Sequence, residues 1–287
     1  MQEDPRHVVV AQGRSQRSRV KAIDPDEIER RRKARCETAI GVPDPLTYPG
    51  FRRKVVLAGQ LFMKLRLFGI DNLPDGPFVL MPNHTSFLDI PTAGNITRPM
   101  AWPCKPSFVA FDWLARRNQR NGAIPFARKK DESWRPTGYA KLYIRIRELI
   151  TRKQYIPLRD KVLTRHEALD VIDGALEFNP VVMFGQGERK TSASNTEWFP
   201  GAAHAALRAY VPLVPMAVYG LAKADRHRRT FFGLRRRAVA IILPPIWPSE
   251  YPMTPYTNEK QLAQAMMNDA VVSIHTGLAR AESLLFP

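Results

Sequence analysis

Short apolar runs alternate with stretches of helical spacing along most of the chain. Each run predicts a buried strand because its apolar residues are bounded by polar or turn-forming ones. Thr164 and Glu167 have the spacing of a capping box, which predicts a helix start before the second run. The alternation predicts an α/β fold over residues 73–287, with a mixed central β-sheet flanked by helices. The four runs are Phe78–Met81, Val181–Phe184, Leu213–Gly220 and Ala238–Leu243.

The region before this domain divides into two parts. Residues 1–50 mix charges of both signs with few large apolar side chains, so we interpret them as a basic N-terminal extension. Residues 51–72 place three basic residues ahead of an apolar stretch that Gln60, Lys64 and Arg66 interrupt. This segment is too polar to span a bilayer but suits an amphipathic helix that docks on a membrane surface. The alternative is an ordinary amphipathic helix packed on the core.

The charge of the chain indicates an acidic partner. The formal net charge is +17 and the pI is about 10.3, which fits nucleic acid, anionic lipid or a phosphorylated small substrate equally well. The 2 cysteines are too few for a disulfide framework, and no signal peptide is visible, so we expect a reducing cytosol. The histidines are scattered and no cluster has metal-ligand spacing, so no metal site is predicted.

The segment NHTSFLD, directly after the first strand, carries the candidate chemistry. A neutral imidazole can accept a hydroxyl proton near neutral pH, and a carboxylate on its other nitrogen fixes the tautomer. If a helix starts near Ser86, Asp89 can fold back toward the ring of His84. This spacing is weakly specific because 27 of the 287 residues are acidic, although His84 is the only histidine with an acidic residue at that offset. Taken alone, the pair is more often structural than catalytic.

Three further blocks follow in order: GAIPFAR at 122–128, FGQGERK at 184–190 and VPLVPMAVYG at 211–220. With NHTSFLD, this order resembles the phospholipid/glycerol acyltransferase family, which includes the 1-acyl-glycerol-3-phosphate acyltransferases. The resemblance covers roughly Pro74 to Pro245, and the four blocks together are far more specific than any one of them.

The resemblance implies a direct acyl transfer with His84 and Asp89 as the catalytic pair. His84 would remove the proton from an acceptor hydroxyl, which attacks the thioester of acyl-CoA or acyl carrier protein. The expected acceptor is a lysolipid or glycerol phosphate, with lysophosphatidate to phosphatidate as the leading reaction, and no cofactor is implied. We expect backbone N–H groups near the helix start after His84 to stabilise the oxyanion.

The resemblance also implies a phosphate-binding set. Arg128 in the second block would hold the acceptor phosphate, with Lys105 as a supporting charge. The third block departs from the family pattern Phe-Pro-Glu-Gly-Thr-Arg-Ser: Gly187 and Arg189 match, whereas Gln186 replaces the glutamate. Glutamine keeps hydrogen-bonding capacity but loses the charge, so this change affects the identity of the acceptor. All five residues are predicted to bind substrate.

A basic cluster at 226–237 interleaves arginines with phenylalanines. Such a cluster serves stacking on single-stranded nucleic acid or docking at an anionic membrane. We favour an anionic phospholipid surface because a lysolipid acceptor resides there. We therefore expect a peripheral or monotopic protein on the cytoplasmic face of a membrane, and no nucleic-acid partner.

Two alternative functions stay open beside the transferase. Gln186 allows a catalytically silent relative that binds membrane lipid. The net charge allows a basic nucleic-acid-binding protein, which explains none of the four blocks and ranks last.

Overall fold

Strands and helices alternate through the part of the chain that can be described. The computed structural model describes residues 41–86, 88–96, 98–105, 112–126, 163–187, 197–221, 236–252 and 258–286. The helices are α1 (Tyr48–Phe62), α2 (Asp89–Ala93), α3 (Asp112–Arg120), α4 (Arg165–Leu176), α5 (Gly201–Arg208) and α6 (Glu259–Leu285). The strands are β1 (Met63–Phe68), β2 (Val79–Pro82), β3 (Trp102–Cys104), β4 (Ala123–Pro125), β5 (Val181–Val182), β6 (Leu213–Tyr219) and β7 (Arg236–Ile242).

The main sheet has five strands in the order β1-β7-β6-β2-β5. β2 runs parallel to both β5 and β6, β1 runs parallel to β7, and β6 and β7 are antiparallel. β3 and β4 form a separate parallel pair, which a bridge from Ala101 to Val181 places beside β5. The mixed α/β sheet predicted from the sequence is confirmed.

The core explains why the central strands are continuous apolar runs. Helices cover the sheet, so alternate residues of β2 are buried in different clusters. Val79 and Met81 belong to a cluster shared with α4, α5 and α6. Phe78 and Leu80 belong to the other cluster, which includes Met63 at the start of β1. The end of β2 is therefore held rigidly, and the candidate site begins there.

The predicted amphipathic segment at 51–72 contains two kinds of element. The helix ends at Phe62, and Met63–Phe68 forms an edge strand paired with β7. The strand has a period of two, with polar residues alternating with apolar ones, whereas the prediction treated the whole segment as helical. A Cβ at Gly59 would lie 2.6 Å from the Cβ of Pro91, so α1 packs closely on α2. α1 also leaves Leu57 and Leu61 exposed.

Two local predictions can be compared directly with the structure. The capping box is confirmed: Thr164 Oγ1 accepts from the Glu167 amide, and Glu167 Oε2 accepts from the Thr164 amide. The run predicted to continue as a strand to Phe184 ends as β5 at Val182, and the Met183 amide makes one more hydrogen bond to the Leu80 carbonyl of β2, at 2.9 Å. Phe184 to Gly187 instead forms a turn, closed by a 3.0 Å hydrogen bond from the Gly187 amide to the Phe184 carbonyl. This turn faces the loop after β2.

Candidate active site

The loop after β2 starts from a fixed point, Asn83. Its side-chain Nδ2 donates to the Val218 carbonyl at 3.0 Å, and its Oδ1 accepts from the Val218 amide at 2.7 Å. Asn83 is completely buried, and both bonds tie it to the backbone of the neighbouring strand β6. Sequence reasoning did not single out this residue. The available signal was an asparagine placed between a buried strand and the candidate base.

His84 and Asp89 come together as predicted. His84 Nδ1 lies 3.0 Å from Asp89 Oδ2, and the side chains are 15% and 0% exposed. The predicted helix start near Ser86 is wrong, because α2 begins at Asp89 itself. Asp89 Oδ2 instead accepts from the amides of Thr85 at 2.7 Å and Ser86 at 2.8 Å, which turns the intervening residues toward the carboxylate. Two backbone N–H groups and one ring nitrogen therefore converge on one carboxylate oxygen.

This convergence assigns the protonation pattern of the pair. Two backbone amides can only donate, so Asp89 Oδ2 is an acceptor, and the hydrogen-bond network assigns the ring proton to His84 Nδ1. The lone pair of the imidazole is then on Nε2. Burial raises the pKa of Asp89, while hydrogen bonds from His84 and from the Ser86 and Thr85 amides act in the opposite direction. The second oxygen, Oδ1, is buried and has no partner among the described residues.

The turn after β5 holds His84 from two further directions. The Phe184 ring stacks on the imidazole, with centroids 4.1 Å apart and an interplanar angle of 28°. Gln186 Oε1 accepts a hydrogen bond from the backbone N–H of His84 at 2.7 Å. The Gln186 side chain is fully buried. Asp89 and Phe184 thus fix the ring of His84, and Gln186 fixes its main chain.

The glycines of this turn have separate structural reasons. Gly187 has φ of 64°, a left-handed conformation that glycine adopts without strain. A Cβ at Gly185 would lie 2.7 Å from Met267 Cε and 3.0 Å from Met81 Sδ. The proline of the family pattern would meet these same atoms, and the two methionine side chains would have to shift to admit it.

Five backbone amides in the described part of the loop around His84 are already engaged. The N–H groups of His84, Thr85 and Ser86 donate to side chains, and that of Leu88 donates to Ser86 Oγ at 3.2 Å. The Asp89 amide donates to the Ser86 carbonyl at 3.3 Å. These five groups organise the loop that carries His84 and Asp89. The expectation that amides near this helix start stabilise an oxyanion stays a prediction.

The remaining predicted residues lie partly within and partly outside the described residues. Gly187 follows Gln186 in the turn beside His84, and Lys105 is exposed directly after β3. Arg128 and Arg189 lie outside the described residues, as does most of the basic cluster at 226–237. The structure thus brings together His84, Asp89 and Gln186, with Gly187 next to them. The phosphate-binding roles stay predictions.

The arrangement defines a mixed α/β protein with a histidine paired to a buried carboxylate at the carboxyl end of a central parallel strand. The family model for Acyltransferase matches residues 64–219, which is more than half of the chain. The chain belongs to this family and is an acyltransferase. The family resemblance predicted from the four sequence blocks is confirmed.

A solved structure supports the same fold. The chain is similar to the 1-acyl-sn-glycerophosphate (LPA) acyltransferase PlsC from Thermotoga maritima, with a TM-score of 0.51 and 14% sequence identity. The similarity covers 88% of this chain and 83% of that one. Comparison with curated protein sequences finds no match.

Proposed function

We propose that the chain is a glycerolipid acyltransferase that moves a fatty acyl group from acyl-CoA or acyl carrier protein to the hydroxyl of a glycerol-phosphate-type acceptor. The leading reaction is lysophosphatidate to phosphatidate. The observation that carries the proposal is the 3.0 Å contact between His84 Nδ1 and a buried Asp89 in a chain of the Acyltransferase family. The similarity to a protein described as an LPA acyltransferase supports the choice of acceptor.

The proposed chemistry uses the imidazole as a general base. His84 Nε2 takes the proton of the acceptor hydroxyl while the hydroxyl oxygen attacks the thioester carbonyl. Asp89 stabilises the imidazolium that forms. As the tetrahedral intermediate collapses, the carbon–sulfur bond breaks and the imidazolium proton passes to the leaving thiolate. The products are an ester and a free thiol, and no covalent acyl-enzyme forms.

The acceptor phosphate would be held by arginines. A guanidinium presents paired N–H donors that match phosphate oxygens, which suits Arg128 and Arg189. Lys105 adds a positive charge near the end of β3. The net charge of +17 supports an anionic substrate and an anionic surface, without distinguishing between them.

A membrane surface would deliver the lipid substrates. Leu57 and Leu61, 52% and 68% exposed, lie one turn apart on α1, next to the exposed Arg53 and Lys54. Burying a leucine contributes roughly 1.5–3 kcal/mol and each basic residue about 1 kcal/mol near anionic lipid. No helix within the described ranges is long and apolar enough to cross a bilayer. We therefore propose peripheral or monotopic docking through α1, on the cytoplasmic face.

Docking is tested by liposome flotation with vesicles that contain anionic phospholipid. Leu57→Asp and Leu61→Asp should each lower the fraction of protein bound to vesicles about tenfold at limiting lipid. Each variant replaces a side chain that would be buried in the lipid by a charged one. Val272→Asp, at a residue of α6 that is 66% exposed, is the matched control and should bind as the wild type does. Equal loss in all three variants would indicate a charge effect and contradict docking through α1.

The transferase activity is tested by release of free thiol from palmitoyl-CoA in the presence of liposomes. Glycerol 3-phosphate, lysophosphatidate and lysophosphatidylinositol are offered separately, with His84→Ala beside the wild type. We expect release that depends on lysophosphatidate and is absent in the variant. If folded protein binds liposomes but releases no thiol, even with an acyl carrier protein donor, the proposal is wrong and a silent lipid-binding relative is indicated.

A further inference from the structure

We infer that Gln186 is a positioning residue for the base, a role that rests on the proposed function of His84. Its side chain fixes the main chain of His84 without bringing a second negative charge to the imidazole. The residue lies 102 positions from His84 in sequence, and its Oε1 accepts from the His84 amide at 2.7 Å. It touches the base through the backbone and is not itself a reacting group.

The orientation of the Gln186 amide is fixed by its partner. A backbone N–H can only donate, so the oxygen and not the nitrogen of the side chain must face His84. The side chain is fully buried, so losing the acceptor would leave the His84 N–H in a site closed to solvent. A buried donor without an acceptor is costly, and the loop would shift to satisfy it. Gln186 therefore sets the position from which the His84 ring projects.

Geometry alone does not explain why this chain carries glutamine. A glutamate, as in the family pattern, could accept the same hydrogen bond. The difference is charge: a second buried carboxylate beside Asp89 would favour the protonated imidazolium, which cannot act as a base. The neutral amide accepts the same hydrogen bond without adding that charge to the site.

The other described groups that contact His84 do not supply a second negative charge. Within the described parts of the chain, Asp89 at the start of α2 is the charged side chain that contacts the ring. The turn after β5 contributes Phe184, and the backbone of β6 reaches the loop through Asn83; neither side chain is charged. Glu188 and the basic residues after it lie outside the described ranges, and every variant below retains them.

The first test compares pH profiles of kcat/KM for acyl transfer. Gln186→Glu keeps the acceptor and adds charge, so the plateau at high pH should stay within about threefold of the wild type while the acid limb moves up by about one pH unit or more. Gln186→Met has a similar volume but no oxygen, so kcat should fall roughly 10- to 100-fold at every pH with little change in KM. Gln264→Glu, on the exposed side of α6, should leave the profile unchanged.

The second test needs no activity. The His84 ring of 15N-histidine-labelled protein is titrated by NMR in the wild type and in Gln186→Glu, with His84→Ala used to assign the signal. We expect the midpoint of the titration to be higher in Gln186→Glu, by the same amount as the acid limb. If Gln186→Glu shows this shift but the wild type transfers no acyl group, the proposed function fails and the positioning role stands.

Two results would overturn the inference. One is a Gln186→Glu protein whose ring titration coincides with that of the wild type. The other is a Gln186→Met protein that keeps the full kcat. Thermal unfolding of each variant separates these results from a failure to fold, and Gln186→Glu serves as the conservative variant that restores what Gln186→Met loses.

Discussion

Two histidine–carboxylate pairs in this molecule have nearly the same length and different surroundings. His84 Nδ1 lies 3.0 Å from Asp89 Oδ2, and His204 Nδ1 lies 3.1 Å from Glu259 Oε1. The carboxylate of the first pair is fully buried, whereas that of the second is 44% exposed. Two backbone amides and a stacked ring fix the first pair. The comparison teaches that two pairs of the same length can differ in how firmly their surroundings hold them.

The second pair belongs to a surface network that joins helices. Arg208, on α5 with His204, contacts Asp170 at 3.2 Å and Asp173 at 2.6 Å on α4. Glu259 is the first residue of α6. Exposed ion pairs of this kind contribute little, typically below about 1 kcal/mol, because solvent screens them. His204 therefore serves as a matched control for His84 in the same protein.

The largest difference should appear when each histidine is truncated. His84→Ala should lower kcat of acyl transfer by about a thousandfold, because a general base contributes roughly 10²- to 10⁴-fold. His204→Ala should change kcat by less than about twofold. Thiol release with saturating acceptor measures both variants. Comparable losses at the two positions would remove the distinction between the pairs.

The next largest difference should follow from neutralising the carboxylates. Asp89→Asn should lower kcat about 10²- to 10³-fold, because an amide does not stabilise the imidazolium as a carboxylate does. Glu259→Gln should leave kcat within about twofold of the wild type. If Asp89→Asn retained full turnover, the carboxylate would have only a structural role in the loop.

A smaller effect is expected from the ring that stacks on His84. Phe184→Leu keeps an apolar side chain but removes the aromatic contact, which is worth about 0.5–1.5 kcal/mol. We expect kcat to fall roughly 2- to 10-fold with KM unchanged, as measured by initial rates over a range of acceptor concentrations. A change in KM alone would instead place Phe184 in substrate binding.

The smallest effect concerns stability, where the buried pair should differ from the exposed one. Burial raises the pKa of Asp89, so ionising this carboxyl costs more in the folded state than in the unfolded chain. The protonated carboxyl therefore contributes stability that is fully present below the carboxyl pKa of the unfolded chain and is lost as pH rises through the pKa of the folded state. Asp89→Asn removes that pH dependence. The Tm of the variant minus that of the wild type should therefore increase between pH 4 and pH 7.

Thermal scans at several pH values check this prediction, with Val272→Ala as a non-titrating surface control. At pH 7, Glu259→Gln should change Tm by no more than a degree or two, because its contact is screened by solvent. If the Tm difference between Asp89→Asn and the wild type is constant across this pH range, burial of the ionised carboxylate does not lower the stability of the folded state.

The parts of the fold that were predicted from sequence depend on short-range signals. Uninterrupted apolar runs predicted β2, β5, β6 and β7 because strands covered on both faces leave few polar interruptions. The helix-to-strand change at Phe62 and Met63 was missed, since β1 is defined by pairing with β7, which begins at Arg236. No local window of sequence contains that partner.

The candidate site also has one part that short-range sequence signals predict and one part that they do not. His84 and Asp89 are five residues apart and could be paired from their spacing. The bond from Gln186 to His84 joins residues 102 positions apart, and the bonds from Asn83 to Val218 join residues 135 positions apart. Both depend on backbone groups, which carry no sequence signature. A motif could therefore identify the His84–Asp89 pair but not the residues that position it.

The engaged amides around His84 have a consequence for inhibitor design. Compounds that imitate the tetrahedral intermediate of acyl transfer usually gain affinity from N–H groups that surround the anionic oxygen. In this protein the N–H groups of His84, Thr85 and Ser86 are bonded to Gln186 and Asp89. A phosphonate or boronate aimed at this loop would find these three amides already bonded within the protein. A heterocycle with an N–H donor, which mimics the hydrogen bond from the acceptor hydroxyl to His84 Nε2, is the better starting point.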